Sequence, residues 1–178
     1  MKRLLAITFA GVVFCMTLGA AGGIANGDVL PNVRADGKRL TFGWHGGSPH
    51  RIDVSNLVRA ATLSSARVLS AQRAGELDYF VVSVSGPSQV GGVEGSGPNG
   101  TESNLLWLKL KSWKLMDAQT MLYQSFWEGL QPVGDYHIKG GVLTLRYENK
   151  PENTSYVLRY DAARPEGKIE LERAGDVE

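Results

Sequence analysis

The chain has 178 residues, 19 Lys and Arg against 18 Asp and Glu, and 43% apolar residues. A chain of this length suits one domain whose buried core supplies its stability. The near-neutral balance, with no basic cluster, excludes nucleic acid held by charge and a long-range pull toward an anionic membrane.

Lys2 and Arg3 precede an almost unbroken apolar run, Leu4 to Leu18, and small residues follow at Gly19 to Gly23. That order is the layout of a secretory signal peptide over residues 1–25, with cleavage expected near 21–25. The run is about 15 residues, short of the roughly 20 that cross a bilayer as a helix, so a cleaved leader is expected instead of an anchor. Cys15 is the sole cysteine and leaves with the leader. Phe14, directly before it, is too large for a lipoprotein signal. The mature chain, 26–178, is read as a single soluble β domain without a disulfide, a thiol nucleophile or a thiolate ligand. The style of the leader points to bacterial export, secreted or periplasmic.

Leu40 to Trp44 alternates like a strand. Trp44-His45-Gly46-Gly47-Ser48-Pro49-His50 follows and holds two of the three histidines. With Asp53 close by, His45 and His50 make a candidate two-histidine, one-carboxylate metal site. The alternative for them is a pair of ordinary surface-loop histidines. Leu57, Val58, Ala61 and Ser65 share one helical face, and Ser55 suits a cap, so one short helix is expected near 55–65. Val68 to Arg73 reads as a strand pairing through Ala74-Gly75-Glu76 with Leu77 to Ser85. Tyr79 to Val84 within it is apolar enough to be buried on both faces.

Residues 85–104 are dominated by Gly, Pro, Ser and Asn, so an irregular loop is expected. Loops of this length inside a domain are functional or mobile. This one lacks the Gly-Lys-Ser/Thr ending of a phosphate loop and leads into a strand, so no nucleotide is expected. No Gly-x-Ser-x-Gly elbow exists to supply a serine nucleophile. No cofactor is expected.

Leu106, Leu108 and Leu110 alternate with Trp107 and Lys109, the pattern of a half-buried strand. If the leucines face the core, Trp107, Lys109, Lys111 and Trp113 form an outward stripe. Exposed indoles stack on sugar rings and lysines pair with acidic groups, so the stripe is a candidate ligand surface. The alternative is that another layer covers this face, or that a bulge near Ser112 turns Trp113 inward; tryptophan is highly buried on average. Further along, Tyr123 and Trp127 could extend such a surface.

Asp135 to Tyr147 reads as a hairpin turning at Gly140-Gly141, which can take the positive φ of a tight turn. Asn149 to Asn153 is a turn, Tyr156 to Tyr160 a strand, Arg164 to Gly167 a turn, and Lys168 to Arg173 a strand with Ile169 and Leu171 inward. The sequons at Asn99 and Asn153 are read as coincidental in a bacterial protein.

The expected fold is all-β, a single antiparallel meander barrel or a two-sheet sandwich, and the continuous C-terminal meander favours the barrel. The leading functional expectation is an exported non-enzymatic binding or interaction module, its partner a carbohydrate or an envelope protein. The alternatives are a hydrolase or metal-dependent enzyme using His45, His50 and Asp53, and a structural envelope component associating through a sheet edge.

Overall fold

The computed structural model describes residues 30–43, 47–88 and 100–176. The expected leader, Trp44, His45 and residues 89–99 lie outside them. The described chain is all-β. Its strands are β1 (Asn32–Asp36), β2 (Arg39–Gly43), β3 (His50–Asp53), β4 (Ser65–Ala74), β5 (Leu77–Pro87), β6 (Thr101–Lys111), β7 (Lys114–Ser125), β8 (Leu130–Pro132), β9 (His137–Lys139), β10 (Val142–Asn149), β11 (Thr154–Asp161) and β12 (Glu170–Asp176). β1, β2 and β3 form one antiparallel sheet. The rest form a nine-stranded sheet in the order β12-β11-β10-β8-β7-β6-β5-β4, with β9 added to β10.

The sheets do not close into a barrel. The two ends of the large sheet, β4 and β12, stay unpaired with each other. Instead the sheet doubles back across the short β8, and its two halves pack face to face. Leu69, Val81, Leu105 and Trp107 on one half meet Leu143, Leu145, Leu158 and Tyr160 on the other. The opposite face of the β4–β6 half carries Phe80, Val82, Leu106, Leu108 and Leu110, which pack against Leu40, Phe42 and Ile52 of the small sheet. The architecture is that of a two-sheet sandwich in which β5 and β6 are covered on both faces. Side chains alternate faces along a strand, so the odd and even residues of β6 feed separate cores.

The expected helix near 55–65 does not form; residues 55–64 run as turns and bends. Their backbone donors are used by distant partners. Ala61 N–H donates to Pro87 O at 3.0 Å, Leu63 N–H to Gly37 O at 2.8 Å and Ser64 N–H to Ser85 O at 2.8 Å. These bonds satisfy the groups a helix would have paired internally, while Val58, Ala60 and Leu63 still reach the core. Thr62, Ser64 and Ser65 are weak helix formers, so little opposes this.

The strands take up both ends of the expected 85–104 loop. β5 continues to Pro87 and β6 starts at Thr101, with Ser85 opposite Ser103 and Pro87 opposite Thr101. The ladder, reinforced by the 2.8 Å bond between the Ser85 and Ser103 hydroxyls, outweighs the weak strand preference of these residues. Gly86 lies where a side chain has no room: a Cβ there would run into the Thr62 carbonyl.

The C-terminal meander forms as expected. Gly140 and Gly141 both take positive φ, 58° and 80°, in the turn that joins β9 to β10. Ile169 is buried but Leu171 is 47% exposed, contrary to the inward reading. β12 is the last strand of the sheet, so Leu171, opposite the buried Leu158, has no further strand beside it on its outer side.

Candidate functional site

Trp107 and Trp113 do not share a surface. Trp107 is 1% exposed. Its indole Nε1–H donates to Pro165 O at 3.0 Å, and Tyr79 and the Lys168 ammonium lie against its ring. The connection between β11 and β12 forms this cover. Gln119 holds it down, accepting from Ile169 N–H at 2.7 Å and donating to Ile169 O at 3.0 Å. Lys109 is half-buried. Lys111 is exposed and pairs with Glu76 at 2.7 Å. Trp107 is therefore covered by a second layer, the alternative to an outward stripe, while Lys111 stays in solvent.

Trp113 is turned to the opposite face by its backbone. Lys111 lies opposite Lys114, so Ser112 and Trp113 form a two-residue hairpin turn, with φ of 48° and 63°. Positive φ at both central residues matches the strand twist but is unusual for residues with a Cβ. The indole then reaches the small sheet. His50 lies flat on it, with centroids 4.2 Å apart and planes 9° from parallel, and Phe80 and Phe42 follow at 6.0 and 5.9 Å.

One member of each expected site thus meets in one place. His50 and Trp113 border a hollow of about 450 Å³, with Ala71 and Phe80 in its apolar lining. Arg73 and Asp78, opposite each other on β4 and β5, supply its charged side. Arg73 Nε donates to Asp78 Oδ1 at 2.6 Å, and this bond raises the guanidinium pKa further. Asp78 is buried, while the Arg73 side chain is 69% exposed. The volume lies within the range of small-molecule sites. An apolar ring wall beside a fixed donor and acceptor pair can hold a ring edge-on or flat and orient its polar substituents.

The expected metal set does not come together among the described residues. His45 lies outside them. His50 and Asp53 are three apart on β3 and so point to opposite faces. Asp53 Oδ1 instead accepts Ser55 N–H at 2.8 Å, which holds its carboxyl below the usual range. No group of three or more His, Cys, Asp or Glu able to hold a metal occurs among the described residues.

Arg73 and Asp78 carried no sequence signal beyond their place at a hairpin end. A comparison with known proteins leaves the family open: no family model, curated protein or solved structure matches the chain.

Proposed function

We propose that this protein is an exported, non-enzymatic binding module of the bacterial envelope or extracellular space, and that it holds a small ring-bearing ligand in the hollow beside His50 and Trp113. The reading rests on one observation. Aromatic groups from β3, β5 and the β6–β7 turn converge with the Arg73–Asp78 pair on a single concavity of ligand size. Its polar groups already hold one another: Arg73 bonds Asp78, and His50 lies flat on Trp113. Such preorganised side chains suit recognition, where a ligand ring covers the apolar wall and its hydroxyl or carboxylate groups meet the ion pair. The export part of the reading rests on the leader-like pattern of residues 1–25.

The test is calorimetric titration of the mature protein with galacturonate, shikimate, quinate and indole-3-carboxylate. The reading expects saturable one-to-one binding of at least one, weakened roughly tenfold or more in Arg73→Gln, since a hydrogen bond to a charged group contributes about 1.5–3 kcal/mol. Binding that Arg73→Gln and His50→Ala leave intact would remove the hollow from the account.

A further inference from the structure

A second, separate feature lies at the other end of β5 and β6, about 33 Å away by the length of an eleven-residue strand. The turn between β7 and β8 carries Phe126 and Trp127, 66% and 50% exposed, with their rings 5.6 Å apart and nearly perpendicular at 86°. Two large aromatics side by side in water are costly to keep exposed and mark interaction sites when rimmed by polar groups.

The turn is held rigidly. Glu128 N–H donates to Ser125 Oγ at 3.2 Å, and Ser125 Oγ donates to the buried carboxylate of Glu102 at 3.0 Å. Lys150 N–H donates to Gly129 O at 3.1 Å, and Glu128 pairs with Arg59. Gly129 has φ of 66° and lies against Pro151, leaving no room for a side chain. The rings are thus presented in a fixed arrangement, which lowers the entropy cost of binding.

Beside Phe126 runs a cleft of about 360 Å³ whose polar lining includes Thr101, Gln124, Gln131 and Lys150. Gln124 Oε1 already accepts from Ser103 Oγ at 2.7 Å, which fixes the amide and directs its nitrogen to donate elsewhere. Amides and a hydroxyl match the hydroxyls of a neutral sugar, and aromatic faces match the C–H faces of its ring. Lys150 is the one charged residue among the cleft's described lining, and Glu128 offsets Arg59 nearby. An anionic lipid surface would call for a basic cluster, which this end does not have among the described residues.

We infer that the Phe126–Trp127 turn and the adjoining cleft form a binding site for a neutral oligosaccharide. The site does not depend on the hollow at Trp113. The test is calorimetric titration of the mature protein with maltohexaose, cellohexaose, laminarihexaose and chitohexaose, a readout that does not depend on Trp127 itself. Saturable binding of one of them is expected, unchanged in Trp113→Phe and lost by roughly thirty-fold or more in Trp127→Ala, as for a central aromatic contact. Gln131→Ala should weaken it roughly three- to ten-fold, the effect of one hydrogen bond. Binding of none of the four overturns the inference, as does binding that Trp127→Ala leaves intact. Trp127-dependent pelleting with phosphatidylglycerol vesicles, or self-association in sedimentation that Trp127→Ala abolishes, would overturn it in favour of lipid or of a second copy.

Discussion

His50 lies flat on Trp113, with ring centroids 4.2 Å apart, although the two come from different sheets. The contact ties the small sheet to the β6–β7 hairpin at the rim of the hollow. His50→Ala should cost about 0.5–1.5 kcal/mol, the usual worth of an aromatic pair beyond its buried area. The uncovered indole should also shift its emission to the red. Urea midpoints and emission spectra check both; unchanged emission would mean the stack does not persist in solution.

The turn that presents Trp113 contains a correctable strain. Ser112 occupies a left-handed position at φ 48°. Asparagine adopts that conformation more readily and is favoured in such hairpin turns. Ser112→Asn should therefore raise stability by about 0.5 kcal/mol and leave ligand binding at the hollow unchanged. Thermal denaturation reads the first and titration the second.

Trp107 should behave as a core residue. Trp107→Ala should cost about 3–5 kcal/mol, from lost packing and the lost indole bond to the Pro165 carbonyl, which keeps only the long 3.4 Å bond from the Tyr160 hydroxyl. Lys111→Ala, which removes an exposed ion pair, should change stability by less than about 1 kcal/mol. Denaturant midpoints separate the two, and the difference measures how completely the second layer covers β6.

Stability should fall in alkali. Burial, with the nearby Glu166 carboxylate as a lesser cause, pushes the Tyr160 hydroxyl far above its ordinary value. Burial also raises Tyr79 and Tyr147. The unfolded chain loses these protons near pH 10 while the folded chain keeps them. The folded state then binds more protons, so stability is full below about pH 10 and drops as pH rises further. The slope reaches about 1.4 kcal/mol per pH unit for each tyrosine still protonated in the fold. Tyr160→Phe should flatten that limb in urea titrations between pH 8 and 11.

Gly86→Ala should destabilise through the backbone. Its Cβ would meet the Thr62 carbonyl, which does not swing away as a flexible side chain would. Overpacking of this kind costs about 1–3 kcal/mol. The loss should appear together with faster amide exchange at Ala61 and Ser64, whose bonds to Pro87 and Ser85 hold the 55–64 segment on β5.

Much of the fold was legible in the residues because local signals governed it. Gly140-Gly141 marks a turn that needs positive φ twice, and Leu106, Leu108 and Leu110 do face one core. What escaped is non-local. Period two identifies a strand and one apolar face and leaves open whether a second layer covers the other; Leu105 and Trp107 are buried there by β10, β11 and the connection after β11, which lie far along the chain. The 55–64 segment follows the carbonyls of Gly37, Ser85 and Pro87 instead of its own helical pattern. Of the expected site residues, His50 and Trp113 meet because a left-handed turn redirects the indole, and no spacing rule announces that. The Arg73–Asp78 pair becomes part of a site only once the hairpin ends gather.

The central claim, a ligand seated at the hollow, is tested most directly by a nitrogen-15 NMR titration of the mature protein with galacturonate, shikimate, quinate and indole-3-carboxylate. The account predicts saturable shifts confined to the Trp113 indole N–H, the Arg73 Nε–H and the amides of Gly47, Ser48, His50 and residues 71–73. If all four leave those signals in place at saturating concentrations, or shift others instead, the hollow is not a ligand site.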